Sequence, residues 1–386
     1  MRVGLFHNHY IYRGGEDVAF ELEAELLAKA GHEVHALAVD NRDEIGASSL
    51  GALRAGLRAR WNPDTLRRVD AFLAAHPIDV AHVHNFFPVF SPALHTRLHA
   101  RGIPVVQTLH NYRLLCANGL MLRGGRSCED CVALGPWNAV RHACYRGSRL
   151  QTLVWSEMTA LHRRRRTWHA CVDLFTTPSD FARRVLLATG IPPGRFRVVP
   201  LPVPDPGPAC PPGEGALFVG RLSPEKGVDL LIEAWRQLDG YPLRIVGAGP
   251  EEERLRARAA DVPGVCWVGG VPHDRVLAAM RAAAFVVVPS RWYENFPLSL
   301  IEAKACARAA VVAHPTALSD LVAADDTGLR FEMGDVQSLA EACRALAFDP
   351  ERTRRLGERA RAQYEACYAP ERCVELLEEA LRSVTR

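Results

Sequence analysis

At 386 residues the chain exceeds what one hydrophobic core usually supports, so two domains of ordinary size are expected, each burying roughly 70% of its unfolded surface. Lys and Arg total 47 against 44 for Asp and Glu, a formal charge of +3 that is too balanced for nucleic acid to be a bulk partner. The opening Met1–His9 lacks the apolar region of about 7–15 residues of a signal peptide, and no stretch approaches the ~20 apolar residues of a membrane span. A cytoplasmic protein is therefore expected, its eleven cysteines present as thiols or metal ligands rather than disulfides.

Arg2–Phe6 reads as a first strand, followed by a loop carrying Gly14 and Gly15 and a helix to about Ala30. Gly31 then stops the helix and a second strand runs to Val39. This is the opening of a doubly wound sheet, in which ligands collect at the carboxyl ends of strands. The paired glycines serve either as a tight turn or as a place where backbone approaches a phosphate or sugar with no Cβ in the way. A dinucleotide site is disfavoured, because no Gly-x-Gly-x-x-Gly follows this strand and the later Gly247-Ala-Gly249 runs into Pro250 and Glu252. Further strands at Asp79–His84 and Ile103–Leu109 place His84 and His110 at adjacent strand ends.

A loop-rich insert at about 113–147 holds Cys116, Cys128, Cys131 and Cys144. The C-x-x-C pair with a single cysteine about a dozen residues to each side could close a tetrahedral zinc site or hold a cluster, and the alternative is four small buried hydrophobes. A structural zinc would staple a segment too poor in large apolar residues to form a core. Leu150 to about Asp173 reads as one helix carrying His162-Arg-Arg-Arg-Arg166 beside Trp155 and Trp168. Such a run is either a solvated face or a patch for the anionic inner face of a membrane.

The Pro- and Gly-rich stretch 204–215 is too broken for helix or central strand and marks the domain boundary, giving domains at 1–204 and 205–369 and a tail at 370–386 that reads as an amphipathic helix. In the second domain Ala216–Arg221, Leu243–Gly247, Val265–Gly270, Phe285–Pro289 and Ala310–Ala313 read as strands with helices between. Arg221 and Lys226 follow the first of these strands, where a bidentate fork and a compact point charge suit a diphosphate. After the strand ending at Pro289, Pro297 fits a first helical position, which leaves the N–H groups of Leu298 and Ser299 free for an anion at the positive end of a helix. Glu294 precedes that helix and Glu302 lies over a turn inside it, so both can reach hydroxyls of a ligand that also carries phosphate.

The run Glu-Asn-Phe-Pro-Leu-Ser-Leu-Ile-Glu-Ala over 294–303 resembles the signature of the family 4 retaining glycosyltransferases, and the resemblance extends over nearly the whole chain. It implies an α/β chain of the GT-B fold, two facing Rossmann-like doubly wound domains with the active site in the cleft and the tail helix returning to the first domain. By the same resemblance Gly14, Gly15, Arg221 and Lys226 contact the diphosphate of a UDP- or GDP-linked sugar, His110 and Glu294 lie at the transferred sugar, and Glu302 binds the ribose. Backbone around Val271 holds the base. The implied activity is transfer, with retained configuration, to a glycan or lipid-linked acceptor in surface polysaccharide or glycoconjugate synthesis, with no catalytic metal. A nucleotide-sugar epimerase or phosphorylase of the same fold, or a non-catalytic carbohydrate-binding scaffold, is the alternative.

Overall fold

The computed structural model of the chain describes residues 1–10, 14–45, 56 and 58–385. Two compact units emerge: Met1–Met121 with Cys128–Pro202 and Cys373–Arg386, and Leu122–Ser127 with Val203–Arg372. The boundaries fall a few residues from 204 and 369 because the proline-rich stretch is strapped to the second unit. Tyr364 donates to the Val203 carbonyl at 2.8 Å, Arg361 pairs with Asp205, and the fully buried Arg308 guanidinium donates to the carbonyls of Cys210 and Pro211. The stretch expected to act as a linker is thus a fixed strap.

The first unit is a sheet of six parallel strands: β1 (Arg2–His9), β2 (Glu33–Asp40), β3 (Val80–Val83), β4 (Val105–Thr108), β7 (Leu174–Thr177) and β8 (Phe196–Val198), while β5 (Leu122–Arg123) and β6 (Arg126–Ser127) form a two-stranded hairpin that groups with the second unit. The order is β2-β1-β3-β4-β7-β8, with Val3 of β1 opposite Val34 on one side and Val80 on the other. β3 and β4 are buried at every position, as expected for parallel strands covered on both faces. The helix Gly15–Lys29 contributes Phe20 and Leu27 to a core with Val3, Leu5, Val80, Val106 and Leu174. The tail helix Pro370–Arg382 closes the same core with Leu377, Ala380 and Leu381, whose spacing puts them on one helical face. Each fully buried leucine there contributes about 1.5–3 kcal/mol.

The stretch expected as one helix from Leu150 is two, Arg149–Arg164 and Thr167–Cys171, because Arg166 adopts a left-handed conformation (φ 54°) that ends the first ladder. Trp155 and Trp168 are buried, Trp155 donating to the Arg113 carbonyl at 3.1 Å, and His162 is buried as well. The aromatic half of the expected membrane patch is therefore core, and Arg164–Arg166 alone remain an exposed basic run.

The second unit repeats the plan with β9 (Ala216–Val219), β10 (Leu243–Val246), β11 (Val265–Gly269), β12 (Phe285–Val288), β13 (Ala309–His314) and β14 (Gly328–Glu332), ordered β11-β10-β9-β12-β13-β14. β14 is the one strand of this sheet not expected from sequence. It lies at the edge, with Leu329 and Phe331 buried between exposed Arg330 and Glu332, and its short alternating run carries little signal. Strand order reverses at β1/β3 in the first unit and at β9/β12 in the second, and such switch points open a crevice at the carboxyl ends of the strands.

Candidate functional site

The loops that leave β9 and β12 meet at the switch point of the second unit. Gly227 makes this possible: its φ is 70°, and a Cβ there would come within 2.1 Å of the Pro289 carbonyl oxygen. The close approach lets Lys226 Nζ donate to Glu294 Oε1 at 2.5 Å, while Ser290 Oγ donates to the same oxygen at 2.8 Å. Glu294 is 3% exposed, and the Lys226 ammonium also lies 5.7 Å from the Trp292 ring centroid. Arg291 locks the two loops, its amide donating to the Glu225 carbonyl at 2.9 Å and its guanidinium to both oxygens of Asp229 at 2.9 Å. Arg221 stands apart, exposed and with no side-chain partner among the described residues.

The helix after β12 runs Leu298–Ala305, with Pro297 as its cap rather than its first residue (φ −75°, ψ 108°). The extended ψ follows from the chain having to leave the Glu294 loop before it coils. Leu300 N–H is the first to bond back, to the Pro297 carbonyl at 3.0 Å, so the Leu298 and Ser299 amides precede the ladder as anion-binding donors would. Glu302 sits in this helix with Oε1 3.6 Å from His273 Nε2, and burial pushes its carboxyl up while His273 pulls the other way. Val271 is half-buried in the loop after β11.

In the first unit Gly14 caps the helix Gly15–Lys29 and donates its amide to Asp17 Oδ2 at 2.8 Å. Neither packing nor conformation demands glycine at 14: φ is −130° and a Cβ would meet nothing within 4 Å. Asp17 Oδ1 also takes hydrogen bonds from His7 Nε2 and His9 Nδ1, each at 2.9 Å. Against the upward push of its burial, the bonds from His7, the Gly14 amide and His9 hold this carboxyl at about 2. Asn111 donates to Glu16 at 2.7 Å beside a small cavity that Glu16, His84, Gln107 and His110 line, and burial raises the Glu16 carboxyl.

His84 Nδ1 and His110 Nε2 share a hydrogen bond of 3.0 Å, and the rings stack at 5.2 Å. Burial pushes His110 down to about 3, so at neutral pH it acts as a neutral donor and acceptor rather than a cation. Sequence reasoning missed His7, His9, Asp17, Glu16 and Asn111. The signal for the first two was present, since residues two apart on a strand share a face and His7 and His9 repeat the spacing of His82 and His84.

All eleven cysteines are free thiols. Cys131 is pushed up to about 12 by burial and then by Cys116, Cys144 and Cys128, so the four sequence-selected thiols are electrostatic neighbours. Among the described residues, however, the side chains whose ligand atoms converge within 4.8 Å are two other groups: His7, His9 and Asp17, and Glu23, His82 and His84.

Residues 12–205 match the family profile described as Glycosyltransferase Family 4, and residues 213–363 that described as Glycosyl transferases group 1. The chain belongs to glycosyltransferase family 4. Among curated relatives it is 31% identical over 273 residues to the D-inositol 3-phosphate glycosyltransferase of Acidothermus cellulolyticus, across 62% of this chain and 54% of that one. It is 27% identical over 344 residues to the phosphatidyl-myo-inositol mannosyltransferase of Mycolicibacterium smegmatis, across 83% and 77%. The match to an uncharacterized glycosyltransferase of Methanocaldococcus jannaschii spans 45% of that protein, so the chain covers about half the length of several relatives it resembles. Among solved structures, HepE of Anabaena in complex with UDP aligns with a TM-score of 0.71 at 16% identity, over 99% of this chain and 100% of that one. Sucrose-phosphate synthase from Thermosynechococcus elongatus aligns at 0.73 and 19%, over 99% of both. These likenesses, with two six-stranded parallel α/β units, make the fold of this family 4 chain GT-B.

Proposed function

We propose that this chain is a retaining glycosyltransferase that moves a sugar from a UDP- or GDP-linked donor to a hydroxyl of a glycan or lipid-linked acceptor. The observation that carries the reading is the Lys226–Glu294 pair at the β9/β12 switch point, with an exposed Arg221 on the loop that follows β9. HepE was solved with UDP and with UDP-glucose, and a Mycobacterium tuberculosis relative is named a GDP-mannose-dependent mannosyltransferase, which supports a nucleoside-diphosphate sugar as donor.

In this reading Arg221 and the Leu298 and Ser299 amides take the diphosphate, whose charge grows as the glycosidic bond breaks. Preorganised donors aimed at developing charge are the largest usual contribution to such a step. Glu294, nearly neutralised by Lys226 at rest, gains effect when phosphate draws the ammonium away, leaving a carboxylate to offset positive charge on the sugar. Glu302 holds ribose hydroxyls, Val271 borders the base, Gly14 and Gly15 admit the phosphates, and neutral His110 hydrogen-bonds the transferred sugar. We further assign Cys116, Cys128, Cys131 and Cys144 to a structural zinc, on the C-x-x-C spacing and the single cysteine to each side of it. Incubation with UDP- and GDP-sugars tests the reading: release of nucleoside diphosphate that rises with added acceptor is expected. Absence of both release and nucleoside-diphosphate binding would overturn it.

A further inference from the structure

The interior of the first unit holds a cluster to which the transfer reading assigns no role of its own. Glu23 projects from the helix Gly15–Lys29, and His82 and His84 project from β3 and the residue after it, two apart and so on one face of the sheet. All three are buried, at 5%, 0% and 3% exposure. Glu23 Oε2 lies 3.7 Å from His82 Nδ1 and 3.5 Å from His84 Nε2, too far for hydrogen bonds, and all three atoms lack a hydrogen-bond partner. Three buried, unpartnered ligand atoms aimed at one point are costly unless something occupies that point.

The other nitrogen of each histidine is engaged. His82 Nε2 shares a hydrogen bond with Thr108 Oγ1 at 2.7 Å, and Thr108 Oγ1 another with Thr176 Oγ1 at 2.7 Å, while His84 Nδ1 meets His110. Metal-ligating histidines are oriented in this way, one nitrogen on the ion and the other fixed by an outer partner. Ligands about 2.0–2.2 Å from a tetrahedral zinc lie roughly 3.3–3.6 Å apart, close to the spacings from Glu23. The neighbouring trio of His7, His9 and Asp17 differs on this point, because its atoms already satisfy one another.

We propose that Glu23, His82 and His84 bind a divalent transition-metal ion, zinc foremost, in the interior of the first unit. The His₂Glu donor set suits zinc and leaves a fourth position for solvent. Glu23 also borders a small cavity with Leu26, Val199, Pro202 and Leu377. With the ion on His84 Nε2, Nδ1 must carry the proton and donate to His110 Nε2. The ion thereby fixes the tautomer of His110, making His84 a positioning residue and the metal a structural one.

Full-length protein stripped with a chelator and titrated with Co²⁺ tests this. Expected are visible d–d bands of tetrahedral nitrogen and oxygen ligation, separate from any thiolate-to-cobalt charge transfer of the cysteine segment, and a rise in Tm on adding Zn²⁺. Glu23→Gln should lose the nitrogen and oxygen bands and lessen the rise in Tm. Thr108→Val, which frees the ring of His82, should weaken Zn²⁺ by about 10–100-fold while keeping the fold by circular dichroism. A spectrum carrying thiolate charge transfer alone, or a wild-type Zn²⁺ response that Glu23→Gln leaves unchanged, overturns the proposal. These readouts do not depend on any sugar donor, so they fail or succeed separately from the transferase reading.

Discussion

The switch point of the first unit holds buried charges paired with one another, while that of the second keeps cations at its rim. In the first, Asp17 is held down at about 2 by two histidines and a backbone amide, and His110 is neutral against His84. In the second, Glu294 shares one oxygen with Lys226 and Ser290, and Arg221 has no partner among the described residues. Both sheets bring two loops together at a reversal of strand order, so topology alone sets where a ligand can sit. The side chains on those loops then decide whether the place holds shape or supplies charge.

The largest expected effect breaks the charged half. Glu294→Gln should leave the circular dichroism spectrum and Tm near wild type while kcat falls about 10²–10³-fold, the usual cost of losing one preorganised electrostatic group. Near wild-type turnover would remove Glu294 from catalysis. Next, Lys226→Ala should weaken nucleoside-diphosphate binding by calorimetry more than Arg221→Ala does. It removes a cation and also strands a buried carboxylate, whereas Arg221 is exposed and unpaired in the free protein. Unchanged affinity in Lys226→Ala would show that the ion pair is not part of the donor site.

The self-paired half should reveal itself in pH. A carboxyl depressed from 3.8 to about 2 on folding adds stability above the unfolded value and loses it as pH falls through the folded one. Wild type should therefore exceed Asp17→Asn by about 2 kcal/mol in denaturant melts above pH 5, with the gap closing between about pH 4 and 2. A gap independent of pH would mean that packing, not charge, holds Asp17. The smallest effect sharpens the contrast between glycines. Gly14→Ala should change stability by less than about 0.5 kcal/mol, since a Cβ there meets nothing, yet weaken donor binding if phosphate lies against that backbone. Unchanged affinity would return Gly14 to an ordinary helix cap.

Local pattern carried much of this protein. The continuous β-branched and apolar runs of β12 and β13 read as buried parallel strands, and Glu-Asn-Phe-Pro over 294–297 before an apolar-spaced helix marks the loop-to-helix turn between Glu294 and Glu302. The family resemblance rested on such contiguous stretches, so the fold class was legible, as was the placement of Arg221, Lys226 and Glu294 on the loops that follow β9 and β12. Where the signal was short or alternating it failed, as at edge strand β14 and at the left-handed Arg166 that splits one expected helix into two. Pairings were decided only by the tertiary structure. Lys226 and Glu294 lie 68 residues apart and meet because β9 and β12 are neighbours across the strand-order reversal. Glu23 reaches His82 and His84 only because the first helix packs over β3. No spacing within a sequence encodes distances between elements that the sheet order alone makes adjacent. The cost of burying polar atoms without partners is likewise defined only once the core has closed around them.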